Sequence, residues 1–157
     1  MASPAVTSYS RVFPVPVEKA FDTVLPTPLP ELFHRRYGPI PPIASVEDQI
    51  GVWGTVGQTR TIRTADGGSM REELTRVDAP HAFGYTITDL TGPMKPLVAT
   101  IHGLWSFDAA DGGTRITWEW RIFRKSALVA PIMPIFCWLW RRYADRSFDE
   151  IGKVVAR

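Results

Sequence analysis

The sequence predicts an α+β domain in which one long helix closes the concave side of a curled antiparallel sheet. Two observations carry this. From Ser126 to Arg157, apolar residues recur at Val129, Met133, Phe136, Trp140, Tyr143, Ile151 and Val155, the three-and-four spacing of a buried helical face. The segments before it alternate with period two, as half-buried strands do. A chain of 157 residues is expected to form one domain over residues 1–157, with a core large enough to leave an internal cavity.

The elements follow in order. Thr7 to Val15 reads as a first strand, ended by Pro14 and Pro16. Val17, Ala20, Phe21 and Val24 mark one face of a short helix, with Pro16 suited to its first turn. Pro26, Pro28 and Pro30 stop it. The run Pro30-Glu-Leu-Phe starts a second short helical turn before an extended linker, Gly38-Pro-Ile-Pro-Pro. Ala44 to Gln49 is a strand, and Trp53 to Gly57 a turn or bulge. Thr55 to Thr64 and Ser69 to Val77 pair around Asp66-Gly67-Gly68. Phe83 to Asp89 follows, then a loop with Gly92, Pro93 and Pro96. Ala99 to Ala109 and Thr114 to Arg124 meet at Asp111-Gly112. The count is about seven strands, two short helices after the first strand, and the long C-terminal helix.

Alternation assigns the inner face. Ile101, Gly103, Trp105 and Phe107 share one side of their strand, and Ile116, Trp118, Trp120 and Ile122 share one side of the next. A two-residue turn at Asp111-Gly112 places Phe107 opposite Ile116, which agrees with both parities. Phe83, Tyr85 and Ile87 form a third inward set. In the first hairpin, a three-residue loop with Gly68 left-handed groups Ile62, Met70 and Leu74. A two-residue loop would instead align Ile62 with Arg71. The three-residue form also turns Arg60 and Glu72 inward. Either charge alone would cost several kcal/mol in an apolar interior. The two therefore pair, face a wet cavity, or form a charge pair at the sheet rim.

Composition excludes several classes. Apolar residues make up 45% and charged residues 22%, as in ordinary soluble domains. The net charge is only +2, and no dense basic run is interleaved with aromatics, so nucleic acid is not an expected partner. Cys137 is the single cysteine. It allows no internal disulfide and, between Phe136 and Trp138, reads as a small packing residue rather than a reactive thiol. Met1 to Ser8 lacks the pattern of a signal peptide, and a cytoplasmic location is expected. Ala127 to Trp140 is uncharged but spans only about 21 Å as a helix, against about 30 Å of hydrocarbon. No transmembrane segment is expected.

These stretches together resemble the SRPBCC superfamily, also called START-like or Bet v 1-like. Phe13-Pro-Val-Pro-Val-Glu-Lys-Ala-Phe is similar to its opening strand and proline-marked helix. Val56-Gly-Gln-Thr-Arg-Thr-Ile-Arg, Asp66-Gly-Gly and Glu72-Glu-Leu-Thr-Arg-Val-Asp-Ala-Pro resemble its middle hairpin. Gly103-Leu-Trp-Ser-Phe and Gly112-Gly-Thr-Arg-Ile-Thr-Trp-Glu-Trp resemble its last. The resemblance covers nearly the whole chain and looks closest to the bacterial polyketide cyclase/dehydrase and lipid-transport group. It implies a helix-grip fold with a hydrophobic cavity between sheet and helix, and binding of a lipid, polyketide or aromatic molecule without a cofactor. A minority of the superfamily catalyses cyclisation or dehydration. On this analogy Tyr85, Ile101, Trp105, Trp118, Trp120 and Ile122 line the cavity from the sheet. Alternation puts Ile62, Leu74 and Ile87 on the same inner face, and Gly103, between Ile101 and Trp105, removes a side chain there and makes room for a ligand. Met133, Phe136 and Trp140 line it from the helix, and Leu90 to Val98 borders the mouth.

No catalytic fingerprint stands out. His34, His81 and His102 share no metal-ligand spacing. Arg60 and Glu72, with Tyr85, are the polar set that alternation turns inward. They suit either a polyketide aromatase/cyclase-type reaction or the anchoring of a bound molecule's polar end. The indoles of Trp105, Trp118 and Trp120 share one face, and each N–H needs a partner. They either stack as core or enclose a flat ligand. Ile135, Trp138 and Leu139 fall on the helix's other side, with Arg141 and Arg142 after them. That surface suits a homodimer interface, a partner site or a membrane-surface contact, unless loops or the short helices cover it.

Overall fold

The computed structural model describes residues 3–157. Strand β1 (Ala5–Phe13) runs into helices α1 (Val17–Val24) and α2 (Leu29–Leu32). Strands β2 (Ile43–Glu47), β3 (Thr59–Thr64), β4 (Ser69–Asp78), β5 (Ala82–Thr88), β6 (Val98–Ala110) and β7 (Gly113–Arg124) follow. Helix α3 (Met133–Val155) closes the chain. The seven strands form one sheet in the order β1-β7-β6-β5-β4-β3-β2, and every neighbouring pair is antiparallel. This is the helix-grip architecture expected from the sequence.

The last hairpin forms as its alternation requires. Ala110 pairs with Gly113 across a two-residue turn, and Phe107 pairs with Ile116. The first hairpin also adopts the expected register, with Arg60 opposite Glu72 and Ile62 opposite Met70. Its loop is Ala65-Asp66-Gly67, closed by the Thr64 N–H donating to the Gly68 carbonyl at 2.9 Å. Gly67, at φ +88°, takes the left-handed position expected of Gly68. The third loop residue is the one that must turn the chain back into the strand.

Most strand ends fall within two residues of expectation, β1 at Ala5–Phe13 rather than Thr7 to Val15 among them, and two boundaries differ by more. The long helix starts at Met133, because Ala127–Ile132 is a 3-10 helix. Pro131 and Pro134 have no N–H to donate, so a regular helix can begin only where Pro134 falls in its first turn. Strand β3 starts at Thr59 rather than Thr55. The Gln58 side chain accepts from the Gly54 and Thr55 N–H groups and donates to the Ile50 and Val52 carbonyls. That satisfies the loop backbone locally, without a strand partner.

The C-terminal half of α3 seals the core. Ala144, Phe148 and Ile151 are fully buried, and Phe148 meets Tyr9 edge-on at 4.8 Å and Trp105 stacked at 5.9 Å. At the rim, Arg11 on β1 reaches Asp145 and Asp149, each at 2.8 Å. Glu150 ties the segment after α2 to α3. Its carboxylate accepts from His34 at 2.9 Å, with Arg35 and Lys153 beside it. These partners, His34 foremost, hold it below the usual carboxylate range. No helix among the described residues is long and apolar enough to cross a membrane.

Phe148 is thus the pin between helix and sheet. Phe148→Ala is expected to cost about 3–5 kcal/mol by urea unfolding, and to alter the near-ultraviolet dichroism of Trp105. A cost below about 1 kcal/mol would mean that the helix is held elsewhere.

Candidate functional site

The N-terminal half of α3 stands off the sheet and leaves a cavity of about 170 Å³. A dry apolar cavity of about 150 Å³ is enough to hold benzene, whereas drug-sized sites run from about 300 Å³. The floor comes from inward positions of β3 to β7, and the roof from Phe136, Trp140 and Tyr143 of α3. Exposed Pro39, Asp66, Thr91 and Pro93 surround the opening, so the mouth lies among the linker before β2, the β3–β4 turn and the β5–β6 loop. That loop is the stretch expected to border it.

The residues proposed from sequence divide into two groups. Arg60, Ile62, Glu72, Tyr85, Ile87, Trp105, Trp118, Trp120, Phe136 and Trp140 all line the cavity. Leu74, Ile101, Gly103, Ile122 and Met133 do not. Leu74 and Ile101 are fully buried in packed core, while Ile122 and Met133 face a separate cleft beside Pro4 and Ala5.

Gly103 works differently from expectation. A Cβ at Gly103 would lie 2.0 Å from Cζ of Tyr85. The missing side chain makes room for the Tyr85 ring, not for a ligand. Tyr85, Gly103 and Trp120 are register partners across β5, β6 and β7. Laid over Gly103, the phenol reaches the far strand. There its oxygen accepts from Trp118 Nε1 at 2.8 Å and from Trp120 Nε1 at 2.9 Å. Burial, and then the nearby Glu72 charge, hold the phenol well above the usual range for its proton loss.

The indoles pack closely. Trp105 stacks on Trp118 at 5.1 Å and 10°, and Trp140 leans on both Trp118 (4.7 Å) and Trp120 (5.6 Å). Trp140 Nε1 is buried without a hydrogen-bond partner among the described residues.

Arg60 and Glu72 pair inside the protein, not at the rim. Arg60 Nε donates to Glu72 Oε1 at 2.7 Å, and both side chains are only 4% exposed. The guanidinium also lies 3.8 Å over the Trp53 ring, and its Nη1 donates to Gln49 at 3.3 Å. Burial lifts the Glu72 carboxyl above its ordinary range, against the opposing pull of Arg60. A buried acid raised in this way can hold or release a proton nearer neutrality than a surface acid can.

Sequence reasoning missed part of the wall. Trp53, assigned to a turn, is 2% exposed and lines the cavity. A large aromatic in a Gly-rich loop was the available signal. Phe33, at the end of α2, packs on Trp118 at 5.0 Å and stacks with Tyr143 at 6.1 Å. The α1–α2 segment therefore builds the site as well as supporting the sheet.

A family model described as "Polyketide cyclase / dehydrase and lipid transport" matches residues 4–156. A search of curated proteins returns no match. Several solved structures share the fold. Protein MLL2253 from Mesorhizobium loti aligns with a TM-score of 0.70 at 15% identity, covering 98% of both chains. Ara h 8.0201 aligns at 0.67 and 20% identity, covering 97% of both. DynU16, described as a protein in the dynemicin biosynthetic locus, aligns at 0.61 and 12% identity, over 94% of this chain and 46% of that one. At such identities the likeness concerns the fold alone.

The ion pair has a testable energetic signature. Arg60→Met alone should cost about 3–5 kcal/mol, because it leaves Glu72 buried and unpaired. Adding Glu72→Leu should return most of that loss in urea unfolding. Equal losses in the single and double variants would mean that the pair is not desolvated.

Proposed function

The chain belongs to the polyketide cyclase/dehydrase and lipid transport family, and on that premise we propose that it binds a compact hydrophobic small molecule between sheet and helix. The observation that carries this reading is the cavity of about 170 Å³ walled by Trp105, Trp118, Trp120, Phe136 and Trp140. Its size favours one or two fused rings over a sterol or a long acyl chain. Aromatic walls gain stacking and edge contacts with a flat guest in addition to area burial. Arg60, Glu72 and Tyr85 supply convergent polar groups on one side, which fix a guest's orientation.

The same polar set favours a second reading, a cyclase or dehydratase. Glu72, lifted above the usual carboxylate range by burial, would move a proton, and Arg60 would polarise a carbonyl. Loss of turnover in Glu72→Gln with binding retained would mark the enzyme; binding in the wild type without turnover would mark the carrier.

A third reading, a protein-interaction module, rests on the opposite face of α3. Ile135 and Trp138 are 61% and 48% exposed, while Leu139 is half-buried beside the linker at Gly38. Leu128 and Ile132 extend this surface, and Arg142 stands over the Trp138 ring at 5.3 Å. If the face joins two copies, sedimentation should show concentration-dependent association that weakens in Trp138→Ala. A single monomeric species at all concentrations would remove the homodimer.

The binding reading is tested by tryptophan fluorescence during titration with naphthoquinones, flat polyphenols, sterols and fatty acids. Saturable quenching by a bicyclic aromatic is expected, weakened at least several-fold when Trp118 and Trp120 become Phe. Absence of any saturable response would overturn it.

A further inference from the structure

Beside the Arg60–Glu72 pair, a further polar atom faces the aromatic wall, the Tyr85 hydroxyl. Tyr85 is 7% exposed and lines the cavity. A phenol oxygen offers one donor hydrogen and about two acceptor positions. Both acceptor positions are occupied, because Trp118 Nε1 and Trp120 Nε1 donate to it at 2.8 and 2.9 Å. The described residues provide no acceptor for the Tyr85 O–H. Two incoming N–H donors also polarise that O–H and strengthen it as a donor. At Tyr85, then, a guest finds a hydrogen-bond donor and no free acceptor position.

The neighbouring charges complete the preference. Glu72 lies on the same sheet face, diagonal to Tyr85, since Glu72 pairs with Ile87 and Leu74 with Tyr85. Its charge is matched by Arg60 at 2.7 Å. With that pair closed, no cation among the described residues of this wall is left unpaired to offset the desolvation of an anionic guest.

We propose that Tyr85, held donor-only by Trp118 and Trp120, is the specificity-determining residue, selecting an uncharged flat molecule with an acceptor oxygen, such as an aryl ketone, over its hydrocarbon, alcohol and carboxylate analogues. This rests on the binding reading above and adds the ligand's polar chemistry. An alcohol can accept from Tyr85, but its own hydrogen then finds no acceptor on Tyr85, whereas a ketone has no hydrogen to place. Gly103 is the positioning element, because only a residue without a Cβ lets the ring lie across β6.

The test uses the full chain and four bicyclic probes of matched shape: tetralin, 1-tetralone, 1-tetralol and tetralin-1-carboxylate. Equilibrium dialysis should give 1-tetralone about ten-fold tighter than tetralin, the scale of one hydrogen bond to a buried donor. The alcohol and carboxylate should bind more weakly than the ketone. The carbonyl stretch of bound tetralone should move to lower frequency than in hexane. In Tyr85→Phe, the ketone-to-hydrocarbon ratio should fall to about one and the infrared shift should vanish. Should that variant fail to fold, Trp120→Phe frees one acceptor position on Tyr85, and 1-tetralol should then gain on 1-tetralone. Equal ratios in wild type and Tyr85→Phe, or no gain of the alcohol in Trp120→Phe, would overturn the proposal. Tetralin binding without ketone preference would overturn it while leaving the cavity reading intact; failure of all four probes to bind would overturn both.

Discussion

A straight helix can follow a curled sheet closely along only part of its length, and the placement of side-chain bulk decides which part. In the C-terminal half of α3, Ala144, Phe148 and Ile151 are packed to full burial against the β1 side of the sheet. In the N-terminal half, Trp140 meets Trp118 and Trp120 from the opposite wall, with Phe136 beside it on the cavity lining, and rings of that size hold the two layers apart. The cavity is what remains between them. Tight packing at one end and bulky spacing at the other come from the same 23-residue helix.

The polar groups of the cavity depend on that spacing in turn. An ion pair as buried as Arg60–Glu72 is seldom more favourable than apolar residues of the same shape, and a buried phenol O–H without an acceptor carries its own cost. Trp140 Nε1 adds another donor without a partner among the described residues. All three lie on the lining of one cavity. Costs of this kind, gathered on one lining, are what the guest of the proposed binding reading would offset.

Much of the fold was legible in the sequence, for a definite reason. A strand's side-chain period of two ties register to face, so the indoles of β7 and the turn at Asp111-Gly112 specified one another. The same rule sorted Arg60 and Glu72 inward. Alternation names a face, however, and says nothing of depth along it. Ile101 and Trp105 share a face of β6, yet Ile101 is core and Trp105 is wall. Depth depends on sheet curvature and on which loops fold over the end, and neither has a periodic signal. Trp53 and Phe33 lay outside the periodic elements for that reason. Gly103 shows the further limit: a gap in an inward row is visible in the sequence, but what fills it depends on a ring from the neighbouring strand.

That gap also links fold to chemistry. Gly103 is unfavourable in a strand by propensity, since it adds no side chain to pack. Here the loss is offset by the Tyr85 ring, which covers the bare backbone and places its oxygen between two indole N–H groups. Without the glycine, the ring could not lie flat over β6. The N–H groups of Trp118 and Trp120 would then lose their partner, and the hydroxyl would lose its fixed donor role. A backbone position with no side chain therefore sets the direction of a hydrogen bond one strand away, and through it the polarity that Tyr85 presents to the cavity.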